Sequence, residues 1–226
     1  MRVSAVVDLR VYVLLDPEHS DGRPLADLAR EAVKGGATLF QYRDKLSETG
    51  AMVDTARAIR AAIAGSGVPL LINDRIDVAL ASGAEGVHVG QTDMAPDDAR
   101  RLLGPDAILG LTVRSMDEAA AVPADLVDYV GIGGVYTTTS KQNKNAPIGV
   151  DGLAAICASL RARAPHIGRV AIAGINAGNA EATIRAGAGG VAIISAVSKA
   201  PDPAAAATEL RVLVDTALAS REIALS

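Results

Sequence analysis

The segment Gln41-Tyr42-Arg43-Asp44-Lys45 places an amide and two cations at every second position. In an extended chain that alternation sets Gln41, Arg43 and Lys45 on one side. Arg grips phosphate oxygens with a planar two-pronged fork and Lys adds a compact charge, so the trio suits a heterocycle with a phosphorylated tail. Spacing alone leaves a second reading open, a solvated charged loop with internal Arg–Asp pairing. Further on come Asn73-Asp74-Arg75 and Gly86-Val87-His88-Val89-Gly90-Gln91-Thr92-Asp93. Two carboxylates beside a phosphorylated ligand are the hard oxygen donors that Mg²⁺ combines with phosphate oxygens and water. Taken singly, Asp74 or Asp93 fits a helix N-cap; as a pair beside Arg43 and Lys45 they favour the metal. His88 lies inside an apolar run with no second His nearby. It reads as a satisfied core residue, or one touching a ligand ring, rather than a metal ligand.

A long polar stretch follows, from Gly131 to Asn145, with the hydroxyl run Thr137-Thr138-Thr139-Ser140 leading into Lys141. Loops of this length in compact folds are often binding loops, and its hydroxyls and Lys141 offer donors to phosphate. The alternative is a surface linker. Two later segments, Ala173-Gly174-Ile175-Asn176 and Ile194-Ser195, have the look of a backbone N–H phosphate cup. No nucleophile–base pair stands out, nor a Lys inside a strand for Schiff-base chemistry. Cations and a metal against one phosphorylated group suggest departure of a diphosphate. A second phosphate would anchor the incoming nucleophile, with binding and positioning supplying the rate.

These residues need a scaffold that brings distant loops together. Short apolar runs alternate with Ala-rich patterns of three-and-four spacing. Strands are expected at Arg10–Leu15, Thr38–Gln41, Pro69–Ile72, Gly86–Val89, Ile108–Leu111, Tyr129–Ile132, Val170–Ala173 and Gly190–Ile194. Helical patterns lie between them, among them Leu25–Lys34, Ala51–Ala64, Leu153–Arg163 and Ala204–Ala219. Each strand–helix unit takes roughly 28 residues, what a βα repeat requires. Gly residues such as Gly83 and Gly104 close helices before the next strand. Eight such units point to a single-domain (β/α)₈ TIM barrel, whose chemistry belongs at the C-terminal ends of the strands. The polar segments above fall there. The competitor, a doubly wound open sheet, would carry a Gly-rich fingerprint after its first strand, where this chain has Asp16-Pro17-Glu18-His19.

Composition fits and excludes. Of 226 residues half are hydrophobic, yet only four Tyr and one Phe are aromatic and Trp is absent. A core of Ala, Val, Ile and Leu suits small helices on buried strands. One Cys, Cys157, excludes an internal disulfide and a Cys-based zinc site. A net charge of −4 without a basic block argues against nucleic acid. No stretch has membrane-spanning length and no secretory segment opens the chain, so a cytoplasmic protein is expected. A homo-oligomer stays open.

With these motifs in hand, the sequence resembles the thiamine phosphate synthase family from the first strand to Ser195. The likeness rests on Gln41–Lys45, Asn73-Asp74-Arg75, Gly86–Asp93, the hydroxyl run to Lys141, Gly174-Ile175-Asn176 and Ile194-Ser195. The resemblance implies a TIM-barrel transferase joining 4-amino-2-methyl-5-hydroxymethylpyrimidine diphosphate to a thiazole phosphate, or its carboxylate, with release of diphosphate. It implies a dissociative course, in which diphosphate leaves first and the thiazole nitrogen captures a pyrimidine carbocation. Gln41, Arg43, Lys45, Asn73, Thr112 and Lys141 would hold the pyrimidine diphosphate, with Arg43, Lys45, Asn73 and Lys141 acting in catalysis. Thr138, Thr139, Ser140, Gly174, Ile194 and Ser195 would hold the thiazole phosphate, and Asp74 and Asp93 would bind Mg²⁺. The chain departs from the family pattern at Thr112, usually Ser, and at Ala173, usually Gly. It departs again at Gly134, Thr137, Ser140 and Asn143 of the loop. A thiazole tautomerase of the same fold, and a non-catalytic sensor of phosphorylated ligands, are the alternatives. Neither needs the diphosphate grip together with the metal pair.

Overall fold

The computed structural model describes residues 7–138 and 146–225. Eight strands alternate with helices: β1 (Val11–Leu15), α1 (Leu25–Lys34), β2 (Leu39–Tyr42), α2 (Thr49–Ala62), β3 (Leu70–Asn73), α3 (Ile76–Ser82), β4 (Gly86–Val89) and α4 (Pro96–Leu103). They continue with β5 (Ile108–Val113), α5 (Met116–Ala120), β6 (Tyr129–Ile132), α6 (Gly149–Arg163), β7 (Gly168–Ile172), α7 (Ala180–Arg185), β8 (Gly190–Ile193), α8 (Ser195–Ser198) and α9 (Pro203–Leu225). The strands pair in sequence order, all parallel, and β8 pairs back onto β1 through Val11↔Val191, Tyr12↔Ala192 and Val13↔Ile193. That closure is the expected (β/α)₈ barrel and excludes the open sheet.

Strand alternation divides the core in two. On β1, Val11, Val13 and Leu15 face the helices, where the larger apolar cluster lies, while Tyr12 and Leu14 face the barrel axis. The same parity puts Gln41, Leu71, Val170 and Ala192 inside, in register through Leu14↔Gln41 and Gln41↔Leu71. Because each strand is covered on both faces it reads as a continuous apolar run rather than an alternating one. Helices contribute small residues to the outer layer: Ala29, Ala32, Ala56 and Ala79 are essentially inaccessible.

Two glycines show how the units are punctuated. Gly83 ends α3 at φ 73°, the left-handed position where a Cβ would be strained. Gly35 ends α1 at an ordinary φ of −80°. Its role is space, since a Cβ there would lie 2.3 Å from the Ala204 carbonyl oxygen on α9.

Strand ends differ in places from the sequence expectation. β5 runs on to Val113 because its ladder with β6 continues through Thr112↔Gly131 and Val113↔Ile132. β7 starts early, at Gly168, and stops at Ile172, before the backbone turns to φ 92° at Ala173. Residues Ser195–Ser198 form a short helix, and Pro17–His19 a 3-10 turn after β1. Among the described residues no helix is long and apolar enough to cross a membrane.

Candidate active site

The first cleft opens at the C-terminal end of the barrel. Its walls include Gln41 from β2 and Arg43 after it, Asn73 from β3, His88 from β4, Thr112 from β5 and Arg114 after it, Gly131 from β6 and Ile194 after β8. Of the trio that alternation set on one side, Gln41 and Arg43 face this space; Lys45 is not among its lining residues and turns to Asp74 instead. Arg43 ion-pairs with Asp16, which also accepts from the Glu18 N–H at 2.9 Å and so caps the 3-10 turn. Both side chains are largely buried, 13% and 1% exposed, so the guanidinium is held rather than free to sweep solvent. The sequence reading used Asp16 only to exclude another fold. Its position just past a strand end was the signal that it belongs to the site. Arg114 was likewise passed over, although it follows β5 as Arg43 follows β2.

Asp44 shapes the segment that carries these cations. Its carboxylate accepts from the Leu46 and Ser47 N–H groups at 2.9 and 3.0 Å, and from the Tyr42 hydroxyl at 2.9 Å. Burial opposes its ionised form, but these hydrogen bonds outweigh burial and lower its pKa.

Asp74 and Asp93 meet at the rim. Neither caps a helix: the N-cap positions of α3 and α4 are Arg75 and Ala95, without side-chain caps. Asp74 accepts from the Lys45 ammonium and, at 2.7 Å, from the Asn73 amide. Asp93 accepts from the Gly90 N–H at 2.9 Å. Burial, and next the adjoining Asp74 carboxyl, raise the Asp93 pKa. Two carboxyl groups pressed together at a partly buried position fit a divalent cation, which would relieve their repulsion. Asp74 also sits at φ 60°, a left-handed conformation that Asp adopts more readily than most residues.

A second cleft lies beside the first, lined by Thr137, Thr138, Gly174, Ile175, Asn176 and Ser195 among others. Thr138, Ile172, Ala173, Ala192 and Ile194 line both, so the two spaces are continuous. The backbone after β6 is laid along β7: Val135 and Tyr136 donate to the Ile172 and Ala173 carbonyls at 3.3 and 3.1 Å. Asn179 then pins the turn after β7, accepting from the Asn176 N–H and donating to the Gly174 carbonyl, each at 2.9 Å. Thr138, Gly174, Ile194 and Ser195 thus gather at one place. Thr139, Ser140 and Lys141 lie outside the described residues.

Beneath the first cleft a hydrogen-bonded chain crosses the barrel. The Gln41 amide nitrogen donates to the Tyr12 hydroxyl, which meets the Tyr129 hydroxyl at 2.8 Å. Tyr129 meets His88 Nδ1 at 2.8 Å, and His88 Nε2 meets the Thr112 hydroxyl at 2.7 Å. Burial raises the pKa of both phenols, which stay protonated. His88 is thus the satisfied interior residue that its sequence context indicated. Cys157, buried on α6, is core as expected.

Known proteins share this sequence pattern and this fold. The sequence model of the family described as Thiamine monophosphate synthase matches residues 11–197. The chain is similar to the thiamine-phosphate synthase of Agrobacterium fabrum, 48% identical over 96% of this chain and 98% of the relative. That of Chloroflexus aurantiacus is 45% identical over 95% and 96%. Among solved structures it is similar to a thiamine phosphate pyrophosphorylase from Pyrococcus furiosus, with TM-score 0.82, 35% identity, and 94% and 98% of the two chains covered.

Proposed function

The chain belongs to the thiamine monophosphate synthase family and is a transferase that joins pyrimidine and thiazole moieties in thiamine biosynthesis; we propose that its two joined clefts divide the substrates between them. The first takes the aminopyrimidine diphosphate, its ring between Gln41 and Thr112 and its diphosphate against Arg43, Lys45, Asn73 and Lys141. The second takes the thiazole phosphate on Thr138, Thr139, Ser140 and the backbone of Gly174, Ile194 and Ser195. The single observation that supports this division is the continuity of the clefts: five residues line both, so substrates bound in the two would adjoin.

Asp74 and Asp93 would hold Mg²⁺, with substrate oxygens and water completing its sphere. When bound, that ion supplies charge to a departing diphosphate. The protein's own part is positioning. Arg43, fixed by Asp16, holds the leaving group in a two-pronged grip. Lys45, ion-paired with Asp74, would add a second cation beside the diphosphate. A dissociative course, in which diphosphate departs before the thiazole nitrogen attacks, asks the wall for positioning and charge rather than for a protein nucleophile. Holding both partners in line replaces a bimolecular encounter with a unimolecular step.

The test is direct. Purified protein given both substrates and Mg²⁺ should release diphosphate and form thiamine phosphate; absence of product would overturn the reading. Arg43→Ala and Lys141→Ala should raise KM for the pyrimidine diphosphate. A change confined to KM for the thiazole phosphate would mean that the two subsites are reversed.

A further inference from the structure

The chain Gln41–Tyr12–Tyr129–His88–Thr112 joins the two walls between which the pyrimidine ring is proposed to lie. Its direction follows from its ends. The Gln41 amide nitrogen only donates, so Tyr12 accepts there and its own hydrogen passes to Tyr129. Tyr129 then donates to His88 Nδ1. A neutral His with an accepting Nδ1 carries its proton on Nε2, which therefore donates to the Thr112 hydroxyl. A second proton on Nδ1 would leave the Tyr129 hydroxyl pointing its hydrogen at a donor inside a fully buried site. Thr112 accepts from His88 and so turns its own hydrogen elsewhere, on a residue that lines the cleft. Gln41 lines the same space, and with one N–H committed to Tyr12 its carbonyl oxygen is the acceptor it has to give there.

Neighbouring strands give up side chains to make room for this chain. A Cβ on Gly110 of β5 would lie 2.2 Å from the Tyr129 ring and 2.5 Å from His88 Nδ1. One on Gly131 of β6 would lie 2.9 Å from the His88 ring.

We propose that Tyr12, Tyr129 and His88 are positioning residues that set the hydrogen-bond polarity of the pyrimidine pocket, making Thr112 a donor and Gln41 an acceptor, and so select an amino- over an oxo-pyrimidine. The two walls suit a ring whose nitrogen accepts on one side while an exocyclic amine donates on the other. A 4-oxo analogue turns an acceptor toward the Gln41 oxygen, and a site built for one polarity rejects the reverse strongly. This inference deepens the synthase reading and rests on it.

Two measurements test it. In ¹⁵N-labelled protein, with the other histidines assigned through His19→Gln and His166→Gln, His88 should show a protonated Nε2 and an accepting Nδ1. The opposite tautomer, or a doubly protonated ring at neutral pH, would overturn the proposal. In kinetics, Tyr129→Phe should raise KM for the aminopyrimidine diphosphate by about tenfold while leaving KM for the thiazole phosphate unchanged, and shrink the amino-over-oxo preference by about tenfold. On a Thr112→Val background the same change should do nothing more, because the donor through which it acts is gone. Full additivity of the two substitutions, or an unchanged amino-over-oxo preference, would reduce the chain to packing and refute the inference. Wild-type protein that forms no thiamine phosphate would instead overturn the synthase reading, and the tautomer would still decide the direction of the chain.

Discussion

Replacing Asp74 by Asn separates the charge of the proposed metal site from its backbone. Asp74 lies at φ 60°, where Ala would carry a left-handed penalty of about 1–2 kcal/mol and confuse the result. Asn tolerates that conformation and still accepts from Lys45 and Asn73. The Lys45 ammonium is 46% exposed, so loss of its ion pair should cost about 0–1 kcal/mol. Against this, Asp93 loses the neighbouring carboxyl that, after burial, raises its pKa. The two effects oppose each other, and without metal the net change should stay within about 1 kcal/mol, or roughly 2–4 °C in Tm for a chain of this size. Turnover should respond quite differently. The cation would lose one of two protein donors, and forfeiting about 3 kcal/mol at the departing diphosphate lowers kcat/KM by roughly 10²-fold. Asp93→Asn should behave alike. Wild-type protein should gain about 2.7 kcal/mol from Mg²⁺ at a hundred times its Kd, and neither variant should recover that gain at the same concentration. Thermal melts with and without Mg²⁺, beside a diphosphate-release assay, measure both quantities. Turnover within tenfold of wild type in both variants, or a fully retained Mg²⁺ shift, would refute the assignment.

Four other outcomes are expected. Asp16→Ala strands the buried Arg43 guanidinium, which should cost about 3–5 kcal/mol and raise KM for the pyrimidine diphosphate. Asp128→Ala breaks the similarly buried Arg100 pair, 3.0 Å long, at the opposite end of the barrel; denaturation should report a comparable loss while KM stays put, and a shift in KM there would contradict the layout. The lowered pKa of Asp44 means that its stabilisation is complete above about pH 4 and is lost as pH falls further. Asp44→Asn should therefore flatten the fall of unfolding free energy below pH 4, and an unchanged slope would show that other groups govern it. Ala173→Gly relieves a φ of 92° at the cost of a looser unfolded chain, for a net change of about 0–1 kcal/mol in favour of the folded state. A measurable loss of stability would show that the Ala methyl is packed to advantage.

How much was legible varies by residue. β4, β6 and α1 have the ends that their apolar patterns indicated, because each pattern is closed by a Gly, an Asp or a Pro nearby. The grouping of Gln41 with Arg43 followed from strand alternation, and that of Asp74 with Asp93 from the rule that polar residues past adjacent parallel strands reach a common point. The same rule applied to Asp16 and Arg114 would have found them too. The chain through Tyr12, Tyr129 and His88 had no such signal. Its members stand 117 and 41 residues apart and each looks like ordinary core.

By itself, then, the sequence determined the repeat, the parity of each strand and the kinds of chemical group at every strand end, since these depend on local spacing. Only the closed barrel decided which of those groups touch. Pairing of β8 onto β1 joins the first and last strands, and the closed barrel aims five polar side chains from β1, β2, β4, β5 and β6 at one line across the interior. Inside that closure each buried polar atom has to find its partner away from water, a requirement that no run of residues reveals before the strands are joined.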